Sequence, residues 1–199
     1  MQQLTNKEQK REKLLDQGVQ MLMSQGYHGT GLKEILDTVK IPKGSFYNYF
    51  GSKEEFAAES VRHYIEPFIQ RLNAHLLNSQ EDGLAALRSY YAELIDEVKR
   101  SDYKGGCLLG NLMGEIGDTS DICRKALIQA IERYSHLQEK ALTCAQQQGT
   151  VRTDYSAKNM ANLLFNNWQG ALLRMKIERS VAPLQECVQI LLDDFFLTK

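Results

Sequence analysis

The sequence predicts an all-α fold of about nine helices, and three observations support this prediction. Apolar residues recur every three or four positions along most of the 199 residues, which is the spacing of one helix face. The strict apolar–polar alternation of a half-buried strand is nearly absent. Only three prolines occur, so few positions exclude a continuing helix. With 43% hydrophobic and 25% charged residues, the chain has an ordinary globular composition and is long enough to bury a core.

The first two helices have recognisable ends. Thr5 and Glu8 form a Thr-x-x-Glu capping box, which predicts the start of a first helix that ends at Gly26. A short second helix is expected over residues 31–39, with Thr30 as its N-cap.

A turn that ends at Pro42 separates the second helix from a third of about two turns, over residues 43–49. Ser52 and Glu55 form a second capping box and open a long fourth helix. Pro67 lies inside this helix and predicts a kink, which is either a flexure point between two parts of the protein or a tolerated bend.

Five further helices complete the predicted fold. They are expected over residues 83–100, 106–116, 120–148, 157–179 and 183–197. Gly149 ends the longest of them, and Pro183 suits the first turn of the last. We expect a three-helix N-terminal domain over residues 1–52 and a larger helical domain over residues 53–199.

The distribution of charge and the spacing of the cysteines favour some classes of function and argue against others. Residues 1–53 carry eight Lys or Arg against five Asp or Glu, whereas residues 54–199 carry sixteen against twenty. A basic N-terminal part is a weak indication of nucleic-acid binding. The four cysteines and four histidines have no spacing typical of a metal or redox site, so no metal and no cofactor are expected. The polar N-terminus and the absence of a long apolar run predict a cytoplasmic protein without a membrane span.

Residues 30–50 have the pattern of a helix-turn-helix, whose second helix lies in the major groove of DNA. Lysines neutralise phosphates, small residues allow close approach, and Tyr and Asn side chains form hydrogen bonds with DNA. The candidate DNA contacts are Thr30, Lys43, Gly44, Ser45, Tyr47, Asn48, Tyr49 and Lys53. Phe46 and Phe50, four residues apart, should point into the core. Two short helices occur in many proteins, so the pattern alone leaves other functions open.

Residues 26–56 resemble the helix-turn-helix of the TetR family of bacterial transcriptional repressors, most specifically in the run KGSFYNYFGSKE over residues 43–54. The resemblance implies a homodimer joined through the last two helices, a palindromic DNA operator, and a C-terminal core controlled by a small-molecule inducer. It places seven of the candidates at positions that usually face DNA, while Asn48 stands where the family often has His. Lys40 replaces a Gly of the family at the turn, a strained choice if the turn needs a positive φ.

Cys107 is the most distinctive residue of the C-terminal part. It follows two glycines at the start of a predicted helix, where the helix dipole favours the thiolate. Together with its two neighbours and with Lys176, it is similar to a subgroup of the family that responds to reactive electrophiles, in which the matching cysteine is the sensor. The alternative is a cysteine that only fills space in the core. Both interpretations stay open.

A ligand pocket is expected among the helices of the C-terminal part, because aromatic walls with a few polar groups are typical of such sites. The candidate wall residues are Phe68, Tyr91, Asn111, Tyr134 and Trp168. The same residues at helical spacing are also typical of a plain core.

The favoured function is a DNA-binding repressor that a small molecule or a reactive electrophile releases from its operator. One alternative is a repressor with a reversible ligand only, in which Cys107 is structural. A thiol-dependent enzyme has much less support, because no general base lies beside Cys107 in the sequence. We therefore expect no enzymatic activity.

Overall fold

A computed structural model describes residues 5–78 and 82–198, and over these ranges the all-α prediction is confirmed. The helices are α1 (Asn6–Gly29), α2 (Leu32–Val39), α3 (Lys43–Phe46), α4 (Lys53–Asn78), α5 (Gly83–Arg100), α6 (Leu108–Ile116), α7 (Asp121–Gln147), α8 (Ala157–Glu178) and α9 (Ala182–Ile190). A π-helical turn over Leu191–Phe195 follows α9. None of the helices in this described part is long and apolar enough to cross a membrane.

Several helix ends differ from the prediction. Helix α1 continues beyond Gly26 to Gly29, across a break at Gly26. The predicted third helix is helical only as far as Phe46, and a hydrogen-bonded turn follows it. The N-cap of α2 is Gly31, so the prediction of Thr30 as the cap was wrong. Thr30 ends α1 instead, because its N–H and its hydroxyl both donate to the carbonyl of Gly26, at 3.2 Å and 2.6 Å.

The first predicted capping box is complete, whereas in the second the Glu55 carboxylate accepts the N–H of Gly51 at 2.7 Å instead of the N–H of Ser52. The Thr5 hydroxyl accepts the N–H of Glu8 at 3.3 Å, and the Glu8 carboxylate accepts the N–H of Thr5 at 2.7 Å. The hydrogen bonds from Thr5 lower the pKa of Glu8. At α4, the Ser52 hydroxyl accepts the N–H of Glu55 at 3.0 Å. These caps fix where α1 and α4 begin.

Thr5→Ala is expected to lower the free energy of unfolding by about 1 kcal/mol, because it leaves the first N–H groups of α1 without the side-chain acceptor. Urea unfolding followed by circular dichroism measures the change. Thr143→Ala is the matched control, since Thr143 is exposed inside α7 and alanine is the better helix former there. Equal losses in the two variants would contradict the role of the cap.

The chain separates into two compact units. The first holds residues up to 66 together with residues 107–130, and the second holds residues 67–106 together with residues from 131 onward. Helix α4 passes from the first unit to the second at Pro67, and α7 passes between them after Ala130.

The core of the first unit is an aromatic and aliphatic cluster behind the helix-turn-helix. Phe46 is fully buried and Phe50 nearly so, as expected from their spacing. The Phe46 ring lies 5.4 Å from that of Phe50 and 5.5 Å from that of Phe56. The cluster also holds Leu14, Leu15, Met21, Ile35 and Leu36. These contacts hold α2, α3 and the following turn against α1 and α4.

Candidate functional site

The turn between α2 and α3 adopts a left-handed backbone at Lys40, with φ 55° and ψ 43°. The sequence predicts strain here, since a side chain in this region is disfavoured relative to Gly. Hydrogen bonds to the end of α2 hold the turn: the Ile41 N–H donates to the Leu36 carbonyl at 3.0 Å. Pro42 is the N-cap of α3.

Helix α3 and the turn after it present one polar face. Lys43, Gly44, Tyr47 and Asn48 are exposed, and Tyr47 keeps 54% of its surface accessible. A Cβ built on Gly44 would meet no atom within 4 Å, so this side of the helix is open. Ser45 is half-buried at the same face.

Tyr49 lies at the margin of this face, half-buried against the aromatic core. The structure thus brings six of the eight predicted DNA contacts onto one segment, residues 43–49. Its buried side is anchored by Phe46 and, just beyond, by Phe50.

The other two predicted contacts, Thr30 and Lys53, are used inside the first unit. Thr30 is only 1% exposed. The Lys53 ammonium donates to the Tyr27 carbonyl at 2.7 Å and lies 4.4 Å from the centre of the Tyr27 ring. Partial burial lowers the pKa of Lys53, and the negative charge of Glu115 acts in the opposite direction. Neither side chain lies on the exposed face of α3.

Glu115, near the end of α6, is a residue that the sequence analysis missed. Its carboxylate accepts the N–H of Tyr27 and the N–H of His28, each at 2.7 Å. These partners lie more than eighty positions away in the chain, so no local spacing reveals the contact. The only local signal is Gly26, which breaks α1 directly before the two N–H groups.

Cys107 is the N-cap residue of α6, in extended backbone with φ −118° and ψ 125°. It is half-buried and forms no disulfide. Its carbonyl accepts the N–H of Asn111 at 3.0 Å, which begins the hydrogen bonding of the helix. Gly105 and Gly106 before it have φ of 89° and 85°, a backbone that glycine adopts without steric cost.

Lys176, in the last turn of α8, lies against Gly106. A Cβ built on Gly106 would lie 2.4 Å from Cε and 2.9 Å from Nζ of Lys176. This contact is within the second unit, and Cys107 is the next residue in the chain. Position 106 therefore favours glycine for two reasons: its backbone has a positive φ, and Lys176 occupies the space that a side chain would need.

Gly106→Ala is expected to lower the free energy of unfolding by about 1–2 kcal/mol through backbone strain, and to displace the Lys176 ammonium as well. Gly149→Ala is the matched control, because Gly149 also has a positive φ but nothing lies within 4 Å of its built Cβ. Urea unfolding gives the loss of unfolding free energy in both variants. The loss in Gly149→Ala reports backbone strain alone, and any additional loss in Gly106→Ala reports the contact with Lys176. A Gly106→Ala protein more stable than Gly149→Ala would contradict the close approach of Lys176.

Three of the five predicted pocket residues gather in a buried aromatic cluster of the second unit. The Tyr134 and Tyr90 hydroxyls are 3.1 Å apart, and the Tyr91 ring lies 4.6 Å from that of Trp168. Gln138 donates its amide N–H to the Tyr91 hydroxyl at 2.6 Å. Burial raises the pKa of Tyr90 and of Tyr91, so both phenols are neutral near pH 7.

Gln138 is fully buried, and its Oε1 has no hydrogen-bond partner among the residues that the structure describes. No motif in the sequence distinguishes Gln138. Of the other two predicted wall residues, Phe68 packs under the Arg71 guanidinium at 4.8 Å in the second unit. Asn111 is half-buried on α6, in the first unit.

Helices α8 and α9 form an open groove of about 630 Å³ on the second unit. Its lining residues are Asn166, Asn167, Gly170, Ala171, Arg174, Pro183, Glu186, Cys187, Ile190 and Leu191. Burial raises the pKa of Cys187 to about 11. Exposed apolar side chains lie on the same two helices, including Leu173 and Ile177.

Over the described residues, no group of three or more His, Cys, Asp or Glu side chains is arranged to hold a metal ion.

Two models of known families match the chain. The model described as bacterial regulatory proteins of the tetR family covers residues 14–59. The model described as the C-terminal domain of tetracyclin repressor-like proteins covers residues 83–191.

Curated relatives match over most of their length. The chain is 31% identical to the HTH-type transcriptional repressor DhaR of Mycobacterium sp. strain GP1, across 92% of this chain and 90% of that one. It is also 31% identical to the HTH-type transcriptional repressor NemR of Escherichia coli K12, across 89% of both. The crystal structure of reduced E. coli NemR has a TM-score of 0.87 and 29% identity, covering 96% of this chain and 98% of that one.

Proposed function

Since this chain belongs to the TetR family of transcriptional repressors, we propose that it binds a palindromic operator as a homodimer and leaves it when an effector acts on its C-terminal part. As a DNA-binding regulator it works in the bacterial cytoplasm. The observation that carries the proposal is the polar face of residues 43–49, backed by the buried Phe46 and Phe50.

Within this face, different residue types form different kinds of contact with DNA. The Lys43 ammonium neutralises a phosphate, and exposed Gly44 lets the helix start approach the DNA closely. The Asn48 amide carries both a donor and an acceptor, the combination that reads an adenine edge in the major groove. Tyr47 and Tyr49 donate hydroxyl hydrogen bonds to the DNA backbone. In a dimer, two such helices lie about one helical turn, roughly 34 Å, apart.

Fluorescence anisotropy on DNA from upstream of the protein's own gene, against scrambled DNA of the same length, tests this function. We expect binding to the upstream fragment at least about a thousandfold tighter than to scrambled DNA at physiological salt. Two chains should bind per operator. Equal affinity for several upstream fragments and for scrambled DNA would contradict the proposal.

The groove between α8 and α9 supports the dimer. Leu173 is 55% and Ile177 is 85% exposed. Gly170 carries no side chain and its built Cβ meets nothing within 4 Å, so a partner helix can approach α8 closely. We propose that this face packs against the same face of a second chain, as a two-fold interface requires.

For the effector, we propose that Cys107 senses reactive electrophiles or oxidants and that Lys176 assists it. Lys176 lies against Gly106, the residue that precedes Cys107 in the chain. The crystal structure of the E. coli relative NemR is of its reduced form. Modification of the thiol at the N-cap of α6 would disturb the start of this helix.

A reversible ligand is the second candidate effector, and the Gln138 amide favours it. A buried acceptor without a partner is costly, so a molecule that donates a hydrogen bond there gains affinity from satisfying it. The aromatic rings of Tyr91, Tyr134 and Trp168 would form the walls of that site. An inducer that still acts on a Cys107→Ser protein would favour this second candidate.

A further inference from the structure

The break in α1 creates a helix start next to the helix-turn-helix. Gly26 has φ 73° and ψ 178°, and the chain then forms one more turn before Thr30. The N–H of Thr30 closes this turn on the Gly26 carbonyl at 3.2 Å. The N–H groups of Tyr27 and His28 open the turn, and N–H groups at a helix start have no carbonyl partner in their own helix.

The Glu115 carboxylate takes both of these N–H groups. Its two oxygens accept one each, at 2.7 Å, which is the short distance of a charge-assisted hydrogen bond. A Cβ built on Gly26 would lie 2.7 Å from Glu115 Oε2. The absence of a side chain at Gly26 therefore allows both the break in the helix and the close approach of the carboxylate.

A second helix holds the same peptide from its other end. The Tyr27 carbonyl accepts from the Lys53 ammonium, at the first residue of α4, while the Tyr27 N–H is held by α6. Both polar groups of one residue are thus fixed by charged side chains from two different helices. Only three residues separate His28 from Leu32, the first residue of α2. The orientation of the Tyr27–His28 segment therefore determines where the helix-turn-helix begins.

Helix α6 is anchored by four buried apolar side chains. It buries Leu108, Leu109, Leu112 and Ile116, and Cys107 is its N-cap. Glu115 follows Cys107 by eight residues, which is about 12 Å along a helix axis. A displacement at the start of α6 therefore reaches the Tyr27–His28 backbone through one short helix.

We infer that Glu115 is a positioning residue for operator binding: it holds the helix-turn-helix in its DNA-binding orientation through the backbone of Tyr27 and His28. This inference rests on the proposed function. Glu115 needs no contact with DNA for this role. Its release from the two N–H groups lowers affinity for the operator.

The negative charge of Glu115 allows its positioning role to be distinguished from a purely electrostatic effect. Glu115→Gln removes a negative charge, and by electrostatics alone that change strengthens binding to any DNA. The inference predicts the opposite for the operator, a loss of about tenfold or more, with binding to scrambled DNA not weakened. Glu115→Asp keeps the charge but is one methylene shorter, so it no longer reaches both N–H groups. It should show the same operator loss.

Glu34→Gln is the matched control, because it removes the same charge from an exposed Glu in the same unit. Fluorescence anisotropy gives the affinities, and amide hydrogen exchange of Tyr27 and His28 gives a readout independent of DNA. Exchange at these two amides should rise at least about tenfold in Glu115→Gln and stay unchanged in Glu34→Gln, while the thermal midpoints stay close to that of the wild type.

Wild-type operator affinity retained in both Glu115 variants would overturn this inference alone. Unchanged exchange at Tyr27 and His28 would also overturn it. A wild-type protein that binds upstream and scrambled DNA equally would overturn the proposed function, and this inference with it.

Discussion

Asn48→Ala should weaken operator binding by about 10- to 100-fold per half-site and leave binding to scrambled DNA unchanged. An amide that reads a base edge contributes about 1–3 kcal/mol of discrimination, and both chains of the dimer lose it. Asn48 is exposed, whereas Phe46 and Phe50 are buried, so its amide lies on the face that we propose contacts DNA.

Lys43→Ala is the matched comparison, on the same exposed face. A lysine on a phosphate contributes to every sequence alike, so this variant should lose affinity equally for operator and scrambled DNA. Its binding should also depend less steeply on salt, by about one unit of the log–log slope per lysine removed. Anisotropy titrations at several salt concentrations measure both effects. Equal losses on operator and scrambled DNA for Asn48→Ala would show that Asn48 does not read bases.

Cys107 is expected to react with a small maleimide at least about tenfold faster than Cys187 at pH 7.5. Burial raises the pKa of Cys187 to about 11, so at this pH its thiol is almost wholly protonated, and only the thiolate is nucleophilic. Burial also raises the pKa of Cys123, which is fully buried and lies 3.4 Å from the Glu54 carbonyl oxygen. Cys187 also lines the groove between α8 and α9 that we propose as the dimer interface, whereas Cys107 lies at the N-cap of α6.

The pH dependence follows from the same cause. Because the pKa of Cys187 is raised, its thiolate fraction grows about tenfold with each pH unit until the pH reaches about 11. Peptide mass spectrometry after short exposure measures each cysteine, and Cys144→Ser removes the other half-buried competitor. Faster labelling of Cys187 than of Cys107 at pH 7.5 would contradict this account.

The sequence predicts the helices well because their signals are local. The Thr5–Glu8 capping box and the inward spacing of Phe46 and Phe50 depend on residues within one turn of each other. The helix ends near Gly26 and Thr30 differ from the prediction, because Thr30 is the C-cap of α1 and Gly31 is the N-cap of α2. Local propensity does not decide whether Thr30 ends one helix or begins the next.

The contacts that orient the helix-turn-helix are long-range, and that is why the sequence did not predict them. Lys53 resembles a phosphate-binding lysine by position, yet its ammonium lies on the Tyr27 carbonyl. Glu115 looks like an ordinary surface Glu until the fold brings it to the break in α1. Gln138 likewise has no distinguishing motif in the sequence. Only the fold shows that its amide is buried and bonded to the Tyr91 hydroxyl.

We propose that one chain joins operator binding at residues 43–49 to chemistry at Cys107. The most direct test is fluorescence anisotropy on the upstream DNA, before and after treatment with a small thiol-reactive electrophile, for wild type and Cys107→Ser in parallel. We expect the wild type to lose at least about tenfold in affinity, within the range of allosteric coupling, and Cys107→Ser to keep its DNA. Equal release of both proteins, or of neither, would contradict it.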